Sequence, residues 1–251
     1  MQKLVRIFRE IRIRAYKRYV PFTTKYPGFI CHVIDKSSFL SMCDEIFDRE
    51  IYKFKSTTDT PVIIDCGANI GLSTIYFKTK YPLAKIISFE PDPYVFETLT
   101  KNIELTNNNG ITLINKGLGK ISETKKFFSE GADGGRIALP EDDQNIISIE
   151  IEILSPYLKE PVDMLKIDIE GSELEVLEES SNELKNVKNI FIEYHSVDNK
   201  EQGLDRILFL LSKAGFRYYI ESTGVNSKYP FIKIEKHLNY DNQLNIFGYR
   251  E

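Results

Sequence analysis

At 251 residues, with 42% hydrophobic and 28% charged residues, the chain fits one α/β domain with an extension and can bury a full core. Its net charge of −4 is too mild to mark a nucleic-acid partner, and no run of roughly 18 apolar residues marks a membrane span. Three cysteines, odd in number and in no C-x-x-C pair, exclude a disulfide framework and suit a reducing cytoplasm.

The charge is unevenly spread. Lys3, Arg6, Arg9, Arg12, Arg14, Lys17 and Arg18 face only Glu10 in the first twenty residues, so a basic segment precedes an acidic body. There, Leu4, Ile7, Phe8 and Ile11 recur at helical spacing between arginines, which predicts a short basic amphipathic helix. The arginines leave no continuous apolar stretch and no A-x-A-like site follows, so a signal peptide is not expected. A solvated face, a dimer contact and a helix lying on an anionic inner-membrane surface all fit it. Pro21 and Tyr26-Pro27-Gly28 break the pattern, and the mixed apolar and acidic run over 39–54 predicts further helix. The polar run over 56–61 sets a boundary, giving an accessory region over 1–57 and a main domain over 58–251.

From Pro61 the chain alternates. Apolar, β-branched strands are predicted at 62–66, 85–89, 111–114, 162–167 and 189–194, with helices at 71–80, 93–106, 172–181 and 202–214. Asp92-Pro93 is an N-cap followed by proline at the first helical position, Ser172 and Glu175 form a capping-box pattern, and Gly215 suits a helix end. Such alternation implies a parallel sheet covered on both faces. Two exceptions stand out. A Gly-rich, acidic loop over 129–145, flanked by two strand-like runs, reads as an insertion over the sheet. At the tail, strand-like runs at 216–222 and 245–250 without an intervening helix predict an antiparallel hairpin at the sheet edge.

Ligands of open α/β sheets bind beyond the carboxyl ends of the strands, and four such ends here carry polar residues. The first is Asp65-Cys66-Gly67-Ala68-Asn69-Ile70-Gly71, where glycines let backbone approach a ligand and the next helix offers free N–H groups. Glu90, with Pro91 beside it, ends the second strand and suits a ribose diol. Asn115 and Gly117 follow the third, where an adenine edge would lie, and Asp168 and Glu170 end the fourth. The G-x-G-x-x-G pattern of a dinucleotide site is absent. The acid before the turn suits a ligand with a cationic amine and no diphosphate, as S-adenosylmethionine is.

These residues carry a resemblance. "DCGANIG" at 65–71, "FEPDP" at 89–93, "LKIDIEGSE" at 165–173 and "FIEYHS" at 191–196 resemble the FkbM family of S-adenosylmethionine-dependent methyltransferases. The similarity runs from about Ile64 to Tyr219 with the motifs in family order. It implies the class I, Rossmann-like methyltransferase fold, a seven-stranded and mostly parallel sheet with an antiparallel last strand, here with an N-terminal helical extension. It also implies O-methylation of polyketides, sugars or glycans, as in polysaccharide biosynthesis. On this resemblance Asp65, Gly67, Asn69 and Gly71 would shape the methionine side, and Glu90 would hold the ribose.

For methyl transfer to a hydroxyl, the protein must align the acceptor and remove its proton. His195, at the end of the fifth strand, is the candidate base, with an ordinary pKa suited to neutral pH and with Glu193 to orient it. A purely structural histidine is the alternative. Asp168, Glu193 and His195 would also suit Mg²⁺ or Mn²⁺, although no metal is favoured. The expected activity is methylation of a sugar hydroxyl on a glycan or lipid-linked precursor. An RNA methyltransferase gripping phosphate with the basic segment, and a non-catalytic S-adenosylmethionine-binding protein, are the alternatives. A DNA partner is not expected.

Overall fold

The computed structural model describes residues 10–26, 28–106, 108–198, 200–237 and 239–250. The basic segment is helical over 10–14, but its buried side chain is Ile13, while Ile11 is exposed. Leu4, Ile7 and Phe8 lie outside the described residues. Where a break was expected, β1 (Phe22–Tyr26) and β2 (Phe29–Val33) pair as an antiparallel hairpin, turning at Gly28 with φ of 100°. Helix α1 (Lys36–Cys43) follows, capped by the Asp35 carboxylate on the amides of Ser37 and Ser38, and it runs into a π-helical turn, Asp44–Asp48.

The alternation predicted after Pro61 then unfolds in order: β3 (Val62–Cys66), α2 (Leu72–Lys80), β4 (Lys85–Phe89), α3 (Pro93–Glu104) and β5 (Ile111–Ile114). Asp92 caps α3 as predicted, accepting from Tyr94 N at 2.9 Å, with Pro93 in the first turn where its missing N–H costs nothing. The insertion builds a sheet of its own from β6 (Gly117–Leu118), β7 (Glu123–Phe128), β8 (Arg136–Ile137) and β9 (Ile146–Glu152), in the order β6-β9-β7-β8. The chain returns through β10 (Val162–Ile167), α4 (Glu173–Glu179), β11 (Val187–Val197), α5 (Leu204–Lys213), β12 (Arg217–Thr223) and β13 (Tyr240–Tyr249).

Among the described residues the main sheet has seven strands in the order β12-β13-β11-β10-β3-β4-β5. β11, β10, β3, β4 and β5 run parallel; β13 is antiparallel to both β11 and β12, between which it is inserted. The strand order reverses at β3, whose neighbours are β10 and β4, and this opens a crevice at the carboxyl edge. Strand β11 extends past the expected 189–194, because β13 begins at Tyr240 and keeps pairing with it through Val197. His195 therefore lies within a strand, opposite Gln243.

The described part of the N-terminal extension shares a core with the sheet. Ile13, Phe39, Ile46 and Tyr52 pack with Ile63, Tyr76, Phe77 and Phe191 in one buried cluster, and the Tyr52 ring meets Phe191 edge-on at 4.9 Å. Among the described residues no helix is long and apolar enough to cross a membrane.

Candidate active site

The carboxyl ends of β3, β4, β10 and β11 open into one cavity of about 300 Å³, the lower end of the volumes that hold small molecules. After β3 the chain turns through Gly67, Asn69 and Gly71 with φ of 83°, 49° and 94°, a conformation glycine adopts without steric cost. A Cβ on Gly67 would lie 1.8 Å from the Asp168 carbonyl oxygen. The turn can therefore pass the end of β10 only without a side chain.

Gly67 and Asn69 wall the cavity. Gly71 serves packing instead, since a Cβ there would meet Leu99 Cδ1 of α3 at 2.7 Å. Asp65 was expected to shape the ligand's methionine side, but it is buried beneath the turn. Its Oδ2 accepts from Ser73 Oγ at 2.6 Å and Thr74 Oγ1 at 2.8 Å, which ties the strand end to the first turn of α2.

Glu90 walls the cavity beside Pro91. Its Oε2 accepts from Asn69 N at 3.0 Å and its Oε1 from Asp92 N at 2.9 Å. Burial pushes its pKa up to about 8. Asn115, expected near an adenine edge, holds this strand end from behind, donating to the carbonyls of Glu90 at 2.8 Å and Pro91 at 3.1 Å. Gly117 does line the cavity, between Pro91 and the apolar side chains of Ile149 and Ile151 on β9.

Opposite lies a charged cluster. Glu170 and Gly171 both take positive φ, 56° and 99°, so the chain doubles back after β10 and returns the Glu170 carboxylate toward β11. Tyr240 donates to Glu170 Oε2 at 2.8 Å. His195 is buried; its Nδ1 lies 3.1 Å from Glu173 Oε1, and its Nε2 faces Glu170 Oε2 at 3.6 Å and Glu193 Oε1 at 3.8 Å. Glu173 also accepts from the amides of Ile169 and Gly171. The Ser172–Glu175 capping box does not form, since Ser172 makes no side-chain cap bond and Glu173 reaches back to the free amides.

Burial by itself would lower the His195 pKa. The carboxylates of Glu170, Glu173 and Glu193 override it and raise the value well above the ordinary range. Burial likewise raises Glu170 and Glu193. Asp168, Glu170 and His195 bring one donor atom each within 4.8 Å of one another; Glu170 stands there where Glu193 was the expected third ligand.

Residues 65–218 match the family described as "Methyltransferase FkbM domain". The chain belongs to the FkbM methyltransferase family. Methyltransferase sdnD of Sordaria araneosa is 30% identical over 186 residues, covering 59% of this chain and 72% of that protein. Hexuronic acid methyltransferase AglP of Haloferax volcanii is 32% identical over 176 residues, covering 68% of this chain and 69% of that protein. The crystal structure of Methyltransferase FkbM from Methylobacillus flagellatus superposes with a TM-score of 0.51 at 18% identity. It covers 77% of this chain, and the chain spans 45% of that protein's length. This last likeness concerns the fold.

Within this FkbM site stand residues that the motifs did not single out. Lys166, on β10, donates to the Gly67 carbonyl at 2.8 Å and pairs with Asp65 Oδ1 at 3.4 Å and Asp168 Oδ2 at 3.3 Å. It is buried, yet its two carboxylate neighbours outweigh the desolvation and raise its pKa. Ser41, Met42, Glu45, Ile46 and Tyr52 wall the cavity from the N-terminal extension. Burial and the Asp168 charge raise the Glu45 pKa.

The Gly-rich insertion closes the FkbM cavity from above. Gly131 to Gly135 line it, Asn69 Nδ2 donates to the Ala132 carbonyl at 2.9 Å, and Ser38 Oγ donates to Asp133 Oδ1 at 2.6 Å. Tyr19 OH donates to Glu130 Oε1 at 2.5 Å. The loop is therefore held by both the glycine turn and the extension.

Proposed function

We propose that the protein is an S-adenosylmethionine-dependent O-methyltransferase acting on a sugar hydroxyl of a glycan or lipid-linked precursor. The observation that carries this reading is the two-sided cavity. On one side, Gly67, Asn69 and Glu90 offer backbone and a carboxylate to an amino acid and a ribose diol, with no phosphate cradle. On the other, Asp168, Glu170, Glu193 and His195 face the same space. The donor's methyl would enter between them.

The acceptor hydroxyl would sit against the carboxylate–imidazole cluster, which takes its proton as a coupled unit. The oxygen then bonds the methyl carbon as the carbon–sulfur bond breaks, its electron pair remaining on sulfur. Alignment and exclusion of water supply the rest. The extension and the Gly-rich loop provide that enclosure, and their walls select the acceptor.

The relative named for hexuronic acid methylation supports a sugar acceptor. An acidic cavity wall disfavours an RNA phosphate backbone. The loop between β12 and β13 supports work at a lipid surface. Both its ends line the cavity through Gly224 and His237, while Phe231 and Ile232 stand almost wholly exposed between Lys228 and Lys233.

The test is transfer of a labelled methyl group from S-adenosylmethionine to sugars, uronic acids and lipid-linked glycans, with RNA as a further arm. The expected product is an O-methyl sugar. Labelling of RNA alone, or calorimetric binding of NAD(H) with no response to S-adenosylmethionine, would overturn the reading. Binding of the donor in the micromolar range, about −8 kcal/mol, is expected, and Glu90→Ala should weaken it by about 1–3 kcal/mol.

A further inference from the structure

We infer that the charged cluster is a divalent-cation site: Asp168, Glu170 and the Nε2 atom of His195 bind one Mn²⁺ or Mg²⁺, with Glu173 as the positioning residue of the imidazole. Three observations converge. First, the three side chains bring donor atoms of carboxylate, carboxylate and imidazole within 4.8 Å of one another, a mixed O/O/N set suited to these ions. Second, they do so at the cavity wall, so coordination positions remain open to a ligand.

The third observation separates this from a mere gathering of acids. His195 has a side chain only 2% exposed, and its Nδ1 is committed to Glu173 at 3.1 Å. A carboxylate only accepts, so Nδ1 carries the hydrogen. That leaves Nε2 aimed into the cluster, where the neighbouring oxygens of Glu170 and Glu193 stand at 3.6 and 3.8 Å, beyond hydrogen-bond reach. A carboxylate on one nitrogen and an open second nitrogen is the arrangement that fixes a metal-ligating imidazole. Glu173 is itself locked by the amides of Ile169 and Gly171, so the ring has one orientation.

A cation there would hold two neighbouring oxygens of a sugar diol and make the reacting hydroxyl more acidic. Its catalytic use rests on the methyl-transfer reading; its binding does not. Lys166 lies 3.3 Å from Asp168 Oδ2, which leaves that residue's other carboxylate oxygen for the ion.

The experiment measures binding on the full chain alone, stripped with chelator and exchanged into chelator-free buffer. Calorimetry and Mn²⁺ electron paramagnetic resonance should find one Mn²⁺ per chain, displaced by excess Mg²⁺. Asp168→Asn and His195→Gln should each weaken it at least about tenfold, the loss typical of altering a ligand or its support, while the exposed Glu160→Gln leaves it unchanged. Glu173→Gln should weaken it less than loss of a ligand.

A second readout needs no variant. The chain has three histidines, so a ring-¹⁵N spectrum of the wild-type protein reports each one. Substoichiometric Mn²⁺ should broaden the His195 resonances ahead of those of His32 and His237. No selective broadening, or several weak sites indifferent to Asp168→Asn and His195→Gln, would overturn the site whether or not the protein transfers methyl groups.

Discussion

Glu90 carries opposite requirements in one side chain. Its carboxylate is buried and serves two backbone amides, yet burial pushes its pKa up to about 8. A raised carboxylate makes the folded state bind the proton more tightly than the unfolded state. Its effect on stability is absent below the ordinary carboxylate pKa. As pH rises from there toward 8 the unfolded chain loses the proton first, and stability falls. Glu90→Gln should therefore flatten the decline of melting temperature between pH 5 and 9 in the ligand-free protein. An unchanged slope would place the burden on Glu170 and Glu193 instead.

Lys166 is the other residue whose removal is informative, because Asp65 beneath it is fully buried and its Oδ1 has no hydrogen bond. Lys166→Met should cost about 3–5 kcal/mol, the range for stranding a buried charge. Adding Asp65→Asn should restore part of it. Denaturant midpoints of the two single variants and the double variant measure the coupling, and strict additivity would mean that the pair is not linked.

At the scale of elements, Asn102 on α3 joins three pieces of chain. Its Nδ2 donates to the carbonyls of His32 at 2.9 Å and Ile70 at 2.8 Å, and its Oδ1 accepts from His32 N at 2.7 Å. It thus clips β2 of the extension to the end of the glycine turn. Asn102→Leu leaves these buried backbone groups unpaired and should destabilise by about 2–4 kcal/mol. Limited proteolysis should then cut within 22–35 first, whereas protection equal to wild type would show that apolar packing alone holds the extension.

The five parallel strands were legible because each contains a short apolar run rich in β-branched residues, and β3, β4 and β10 are followed at once by Gly67, Glu90 and Asp168. The ends of β11 and β13 were not, because Glu193 and His195 interrupt the apolar run while the ladder continues. Local patterns also misled where a distant partner decided the outcome. Ser172 and Glu175 matched a capping box, but Glu173 is drawn back to the amides by the same turn that brings it to His195. A lysine in "MLKID" gave no signal of a buried site residue, since its partners Asp65 and Gly67 come from a strand end about a hundred positions earlier in the chain.

The loop between β12 and β13 carries an exposed apolar pair, Phe231 and Ile232, between Lys228 and Lys233, and the two ends of the loop line the cavity through Gly224 and His237. If this pair seats the protein on anionic lipid, wild-type protein should float with phosphatidylglycerol vesicles and be released as salt screens the lysines. A Phe231→Ser, Ile232→Ser double variant should stay in solution with its melting temperature unchanged. Equal flotation of both would sink this assignment, and dimerisation lost in the variant would make the tip a contact between copies.

The core that the extension shares with the sheet also sets an order of events during synthesis. Ile13, Phe39 and Tyr52 leave the ribosome well before Phe191, which Tyr52 meets edge-on and which is made about 140 residues after it. At about 5–20 residues per second, that gap lasts on the order of ten seconds. Throughout it the nascent chain carries uncovered aromatic surface, and β3 waits for β10 over a similar span before its far edge is paired. Long-range closure of this kind slows folding and exposes the chain to self-association. The seat of the extension is therefore complete only once β11 has been made.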